Sequence, residues 1–248
     1  MSNFKDHFST QSSSYSKYRP YYPQELYDFI LSEVKERKIA WDCGTGNGQA
    51  AVVLANHFEK VYATDPSAEQ IKNAEPKNNI EYRVASAENS TLPNNSIDLI
   101  TVAQALHWFD FEKFYEEVER VAKQNAAIAV WSYEHCKVDE ETDKIFIKFY
   151  REILENYWAT ERKHVENAYS NIPFPFSNLK EQVFQMKKQW NLQDYLGYLS
   201  TWSAVQKYIK TNGTNPLELV ENDFRKAWGN SLSIKEVSFP VTLKMGKV

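Results

Sequence analysis

Ile39-Ala40-Trp41-Asp42-Cys43-Gly44-Thr45-Gly46-Asn47-Gly48 starts as an apolar run, stops on an acid and then alternates glycines. The charged run Glu33 to Lys38 precedes it, so the pattern predicts a short buried strand that leaves a solvated connection and ends at Asp42. Residues without a Cβ let the chain turn sharply there and let a ligand approach the main chain. Gln49 to His57 follows with apolar residues on successive turns and several alanines, which predicts a helix. Strand, glycine turn and helix in that order set free helix N-terminal N–H groups at the carboxyl end of a parallel strand, and that is a ligand site.

The flanks narrow the ligand. A second apolar run, Val61 to Thr64, ends in Asp65, and an acid at that place suits bidentate hydrogen bonding to a ribose diol. Counted from Gly44, the third glycine of a dinucleotide fingerprint would stand where the chain has Gln49, which disfavours a nicotinamide oxidoreductase. The turn carries no lysine for a nucleotide phosphate. Asp42 would be a poor neighbour for pyrophosphate and a good one for an ammonium or sulfonium, so the ligand indicated is a cationic nucleoside.

Asp42, Gly44, Gly46 and Gly48 match Asp/Glu-x-Gly-x-Gly-x-Gly, and Asp65 follows at the place of a ribose acid. Ile80 to Val84 reads as a third strand leading into Ala85-Ser86-Ala87-Glu88, and Ile97 to Val102 as a fourth leading into Ala103-Gln104-Ala105-Leu106-His107-Trp108-Phe109-Asp110. In these motifs the chain resembles the class I S-adenosylmethionine-dependent methyltransferases. The segment from Ala103 to Asp110 is similar to that of the trans-aconitate methyltransferase-like subgroup, as are Tyr18-Arg19-Pro20, Tyr22-Pro23, Trp202 to Gln206 and Ala227-Trp228-Gly229. The resemblance implies S-adenosylmethionine as cofactor, bound by Tyr18, Asp42, Gly44, Gly46, Asp65, Pro66, Ala87, Glu88, Gln104 and Trp108. It also implies an acceptor pocket including Tyr15, Tyr133 and Trp202.

With 248 residues, the chain is long enough for one sizeable core. Alternating strands and helices up to a fifth strand, Ala126 to Tyr133, predict an α/β fold. The full expectation is a Rossmann-like, seven-stranded, mostly parallel sheet with helices on both faces and a helical cap. Residues 1–38 would form an N-terminal lid and helix, 39–135 the cofactor-binding core, and 136–248 the remaining strands with the cap inserted. Tyr15, Tyr18, Tyr21 and Tyr22 make the start of the chain a lid over the cofactor or an aromatic anchor on the core. Gln24 to Arg37 and Glu141 to Thr160 read as helices, Val183 to Trp190 as a sixth strand and Val237 to Met245 as a seventh. Pro240 would put that last strand at an edge or a bulge. The resemblance implies that Asn191 to Asn230 forms the cap, over the acceptor pocket.

A net charge of −4 lacks the clustered basic residues of a nucleic-acid footprint, which favours a small-molecule acceptor. Cys43 and Cys136 have no partners in metal-ligand spacing, so no metal and no disulfide framework is expected. Met1 to Arg19 is polar, and no apolar run approaches the ~20 residues that span a bilayer, so a soluble cytoplasmic protein is expected. Whether it is a monomer or a homodimer is left open.

Methyl transfer from a sulfonium has an activated leaving group, so alignment and exclusion of water matter most. A carboxylate acceptor is already ionised at pH 7, whereas an amine or phenol must lose a proton. His107 is the candidate base, with a structural histidine at a strand end as the favoured alternative. Arg19 is the candidate anion clamp. Trp108 is placed to offer its ring to a sulfonium. Three readings stand: methylation of a carboxylate oxygen, methylation of an amine or phenol through His107, and an adenosyl-ligand binder without catalysis.

Overall fold

The computed structural model describes residues 21–248; the expected lid and the candidates Tyr15, Tyr18 and Arg19 lie outside the described residues. Helix α1 (Gln24–Ser32) leads to β1 (Ile39–Cys43), α2 (Gln49–Leu54), β2 (Lys60–Asp65), α3 (Ala68–Lys72), β3 (Ile80–Val84) and β4 (Ile97–Ala103). Then come α4 (Phe111–Val121), β5 (Ala122–Tyr133), α5 (Glu140–Lys148), α6 (Arg162–Glu166), β6 (Ser177–Trp190), α7 (Leu192–Ser200), α8 (Ser203–Asn212), α9 (Glu221–Trp228) and β7 (Lys235–Lys247).

The strands form one 7-stranded sheet in the order β3-β2-β1-β4-β5-β7-β6. Neighbours from β3 to β5 run parallel, while β7 is antiparallel to both β5 and β6. The order reverses between β1 and β4, and this is where an open α/β sheet leaves a crevice beyond its carboxyl ends. Both faces are covered. Ala40, Leu99, Ala129 and Trp131 pack under α1 and α2 with the helices between β6 and β7, while Trp41, Ile100, Ile128 and Val130 pack under α4. Neighbours in a strand thus go to opposite layers, as the two-residue period of a strand requires.

Several boundaries, and the place of Pro240, differ from the sequence expectation for local reasons. Helix α1 stops at Ser32, not Arg37. Arg37 turns back so that Nη2 donates to Leu31 O at 2.9 Å, and Lys247 Nζ donates to Glu33 O at 2.6 Å, satisfying carbonyls that further helix would have used. The expected helix over Glu141 to Thr160 breaks after Lys148 into a π-helical turn, Phe149–Ile153, and a 3₁₀ turn, Glu155–Tyr157. The wide turn buries Phe149, Tyr150 and Leu154 together and leaves Tyr150 O to accept the indole N–H of Trp158 at 3.1 Å.

Strand β6 starts at Ser177, before Val183, because the exposed first half of this edge strand has no apolar alternation to reveal it. Pro240 lies on an interior strand, neither edge nor bulge. Its carbonyl accepts from Glu134 N at 3.1 Å, just past the end of β5, so the side that lacks an N–H faces the place where the β5 ladder has already finished. The bonds to β6 are untouched.

Candidate active site

The glycine turn is stitched to the ends of three strands. Asp42 is fully buried, its carboxylate accepting the hydroxyls of Thr45 at 2.5 Å and Thr101 at 2.8 Å. Burial pushes its pKa up to about 6 in spite of those two hydrogen bonds. Thr45 N donates to Thr64 O at 2.9 Å and Gly46 N to Asp65 Oδ2 at 2.9 Å, while Asp65 Oδ1 accepts from Ser67 N at 2.9 Å. One carboxylate therefore sets both the turn after β1 and the Pro66 bend that opens α3.

Two glycines are required for different reasons. Gly44 has φ +68, and a Cβ there would stand 2.6 Å from Ala105 Cβ, so the turn closes against the loop after β4. Gly46 has φ +55, and a Cβ there would meet nothing within 4 Å among the described residues, so its face of the turn is open. Ala87 and Glu88 form the tight turn between the paired residues Ser86 and Asn89, and Glu88 Oε1 accepts from Asp110 N at 3.0 Å. Asp42, Gly44, Gly46, Asp65 and Glu88 thus share one rim. Gln49 Nε2 is buried beside this turn with no partner among the described residues.

Beyond β4 and β5 the remaining candidates are locked together. Gln104 sits at φ +55, a costly backbone for a residue other than glycine. Three bonds hold it there: its N–H donates to Trp131 O at 2.8 Å, its Oε1 accepts from Tyr133 N at 2.7 Å and its Nε2 donates to Tyr133 O at 3.3 Å. His107 is buried with Nδ1 2.8 Å from the hydroxyl of Tyr169, and Trp108 lies beside it at 4.7 Å between ring centres. Burial, with Arg162 and His164 adding to it, pulls the His107 pKa down to about 3. Tyr133 meets Phe239 at 5.9 Å, Phe239 meets Tyr198 at 5.3 Å, and Tyr198 meets Trp202 at 5.9 Å, so Tyr133 and Trp202 are ends of one aromatic row.

Further residues at this end carry no local sequence signature. His135 packs its ring 4.1 Å from Tyr150, and Trp158 lies 4.6 Å from the same ring. Arg162 Nε donates to Tyr150 Oη at 3.0 Å. Their sequence positions suggest nothing, because the π turn and the extended Trp158 that bring them together read in the sequence as uninterrupted helix.

A family model described as a methyltransferase domain matches residues 41–130. A protein of Dictyostelium discoideum named as a methyltransferase is 39% identical over 98% of this chain and 95% of its own length. The chain belongs to the class I S-adenosylmethionine-dependent methyltransferases. Saccharomyces cerevisiae CRG1, named as an S-adenosylmethionine-dependent methyltransferase, is 30% identical to it over 83% of each chain. The solved structure of a protein of Anaeromyxobacter dehalogenans named as a type II methyltransferase superposes with a TM-score of 0.85 at 38% identity, covering 92% of this chain and 97% of that one. The cofactor of this methyltransferase is S-adenosylmethionine. The rim described above suits it: an open glycine face, an acid closing β2 and an acidic turn after β3. Among the described residues no helix is long and apolar enough to cross a membrane.

Proposed function

We propose that this methyltransferase moves the sulfonium methyl of S-adenosylmethionine to a carboxylate oxygen of a small organic acid. The donor lies along Asp42, Gly44, Gly46, Asp65, Pro66, Ala87 and Glu88, with Gln104 and Trp108 closing the methionine side. Tyr133 and Trp202 belong to the acceptor side, and Tyr15, Tyr18 and Arg19 are expected to complete it from the N-terminal segment. Asp65 takes the ribose diol, and Gly46 leaves room for the ligand against the main chain.

The observation that carries the acceptor class is the state of His107. A general base works best with a pKa near the working pH. His107 is buried, engaged through Nδ1 by Tyr169 and depressed to about 3, while burial also pulls His135 down to about 4. Such rings accept a proton too poorly to help an amine or phenol, and a carboxylate needs no such help. In the transfer, a carboxylate lone pair forms the O–CH3 bond as the CH3–S bond breaks, and its electrons leave on sulfur as the neutral thioether. No proton moves.

Incubation with methyl-labelled S-adenosylmethionine and a panel of small acids, amines and phenols tests this. Labelled product that mild alkali releases as methanol is expected from acids. Alkali-stable product confined to amines or phenols would overturn the proposal.

A further inference from the structure

Arg162 opens α6, and Glu166 follows at the i,i+4 spacing where arginine and glutamate on a helix ordinarily pair. They do not pair here. Glu166 Oε1 takes the hydroxyl of Tyr150 at 2.6 Å, and that hydroxyl oxygen accepts the Nε–H of Arg162 at 3.0 Å. The guanidinium carbon lies 5.7 Å from the Tyr150 ring centre and 5.2 Å from that of Trp158. Two aromatic faces therefore hold the cation, and among the described residues its terminal nitrogens make no hydrogen bond or ion pair.

Its support is itself fixed. Tyr150 comes from the π turn, and Trp158 is tied by its indole N–H to the Tyr150 carbonyl. Tyr150, which receives the Arg162 Nε–H, packs against His135 just past the end of β5, and α6 lies against the turn Leu106–Trp108 that follows β4, so the guanidinium stands at the carboxyl ends of β4 and β5. A second, independent feature lies at the same place: His135 Nε2 is buried without a partner among the described residues, in a ring packed 4.1 Å from Tyr150 and 5.4 Å from Phe146. A planar fork of donors with no acid paired to it among the described residues, next to an unpartnered ring nitrogen, suits a polar, negatively charged group.

We propose that Arg162 binds an anionic group of the methyl acceptor, a carboxylate distinct from the oxygen that is methylated, so that the preferred acceptor carries at least two acidic groups. This rests on carboxylate methylation as the reaction. A guanidinium on the attacking oxygen would withdraw electron density from the nucleophile. On a remote carboxylate the same interaction turns binding energy into alignment of the acceptor. The fork accepts a carboxylate through two parallel N–H···O bonds, which fixes orientation as well as position.

The test compares a small dicarboxylic acid with its half-amide, in which the second carboxylate is replaced by a neutral group of the same shape. The wild-type enzyme and the variants Arg162→Gln and Arg162→Lys are assayed on both, with S-adenosylmethionine affinity measured for each variant. The wild type should prefer the diacid. Arg162→Gln should raise KM for the diacid roughly 10- to 100-fold while changing KM for the half-amide little, leaving cofactor affinity unchanged. Arg162→Lys should recover part of the preference, since it keeps the charge and loses the fork. A merely structural role for Arg162 would shift both acceptors alike. Ester formation with the same diacid preference in Arg162→Gln as in wild type overturns the assignment and leaves carboxylate methylation standing. Absence of any ester from the wild type, with turnover of amines or phenols, overturns both.

Discussion

The cofactor rim and the proposed acceptor end share one sheet but are built differently. On the cofactor side each candidate closes a strand or opens the next turn within a few residues: Asp42 after β1, Asp65 after β2, Glu88 after β3. On the acceptor side, His107, His135, Tyr150, Trp158, Arg162 and Tyr169 come from separate elements and meet only because a helix is interrupted and a loop folds back. A site written in strand ends can be changed one residue at a time. A site assembled from distant segments depends on packing that many residues share.

The glycine turn gives the sharpest way to break that contrast. Gly44→Ala puts a methyl 2.6 Å from Ala105 Cβ at a left-handed φ, and overpacking plus backbone strain should cost roughly 2–5 kcal/mol of stability. Gly46→Ala meets open space, so only the strain of about 1–2 kcal/mol remains, yet the new methyl occupies the cofactor face. Chemical denaturation and calorimetry should show Gly44→Ala failing in stability and Gly46→Ala failing in binding. Equal stability losses would mean that the turn is not open to a ligand at Gly46.

Asp42 provides the next largest effect. Its folded pKa of about 6 lies above the ordinary 3.8, so between those values the folded chain keeps a proton that the unfolded chain has released. Stability from this group therefore falls as pH rises from 4 to 6, and the cost is complete above 6. Subtracting wild type from Asp42→Asn, the stability difference should grow by up to about 1.4 kcal/mol per pH unit across that window, to about 3 kcal/mol in total, then stay level. His107 acts with the opposite sign. Its pKa of about 3 lies below the ordinary 6.5, so its contribution is full above pH 6.5 and is lost on acidification. A difference curve without a step between pH 4 and 6 would mean that Asp42 is better solvated than its burial implies.

Asp65→Ala should weaken S-adenosylmethionine binding by about 1.5–3 kcal/mol, the usual range for hydrogen bonds to a charged acceptor. It also frees Gly46 N and Ser67 N, so the turn should loosen, with faster amide exchange at those two residues. Unchanged affinity would detach Asp65 from the ribose and make it a brace for the turn alone.

The sequence reveals the parallel half of the sheet and its rim because those signals are local: an apolar run, an acid, glycines and a helix start. It does not reveal the setting of Arg162, held by the rings of Tyr150 and Trp158 instead of by Glu166, nor the break after Lys148. Helical periodicity continues through Phe149 and Tyr150, and the π turn is chosen by burial against Trp202 and Trp158. Pro240 misleads for a related reason. A proline rule about edges is a rule about missing hydrogen bonds, and here the bond is missing because β5 has ended.

An acceptor that needs no histidine base should leave kcat/KM of His107→Asn close to that of the wild type between pH 6 and 8.5. Asparagine can keep a hydrogen bond to Tyr169, so the fold should survive. Wild type and variant should follow the same flat profile, with kcat lowered by less than about tenfold. A wild-type profile that rises through a pKa near 6.5 and disappears in the variant, with kcat falling a thousandfold at unchanged cofactor affinity, would mean that the acceptor needs a histidine base.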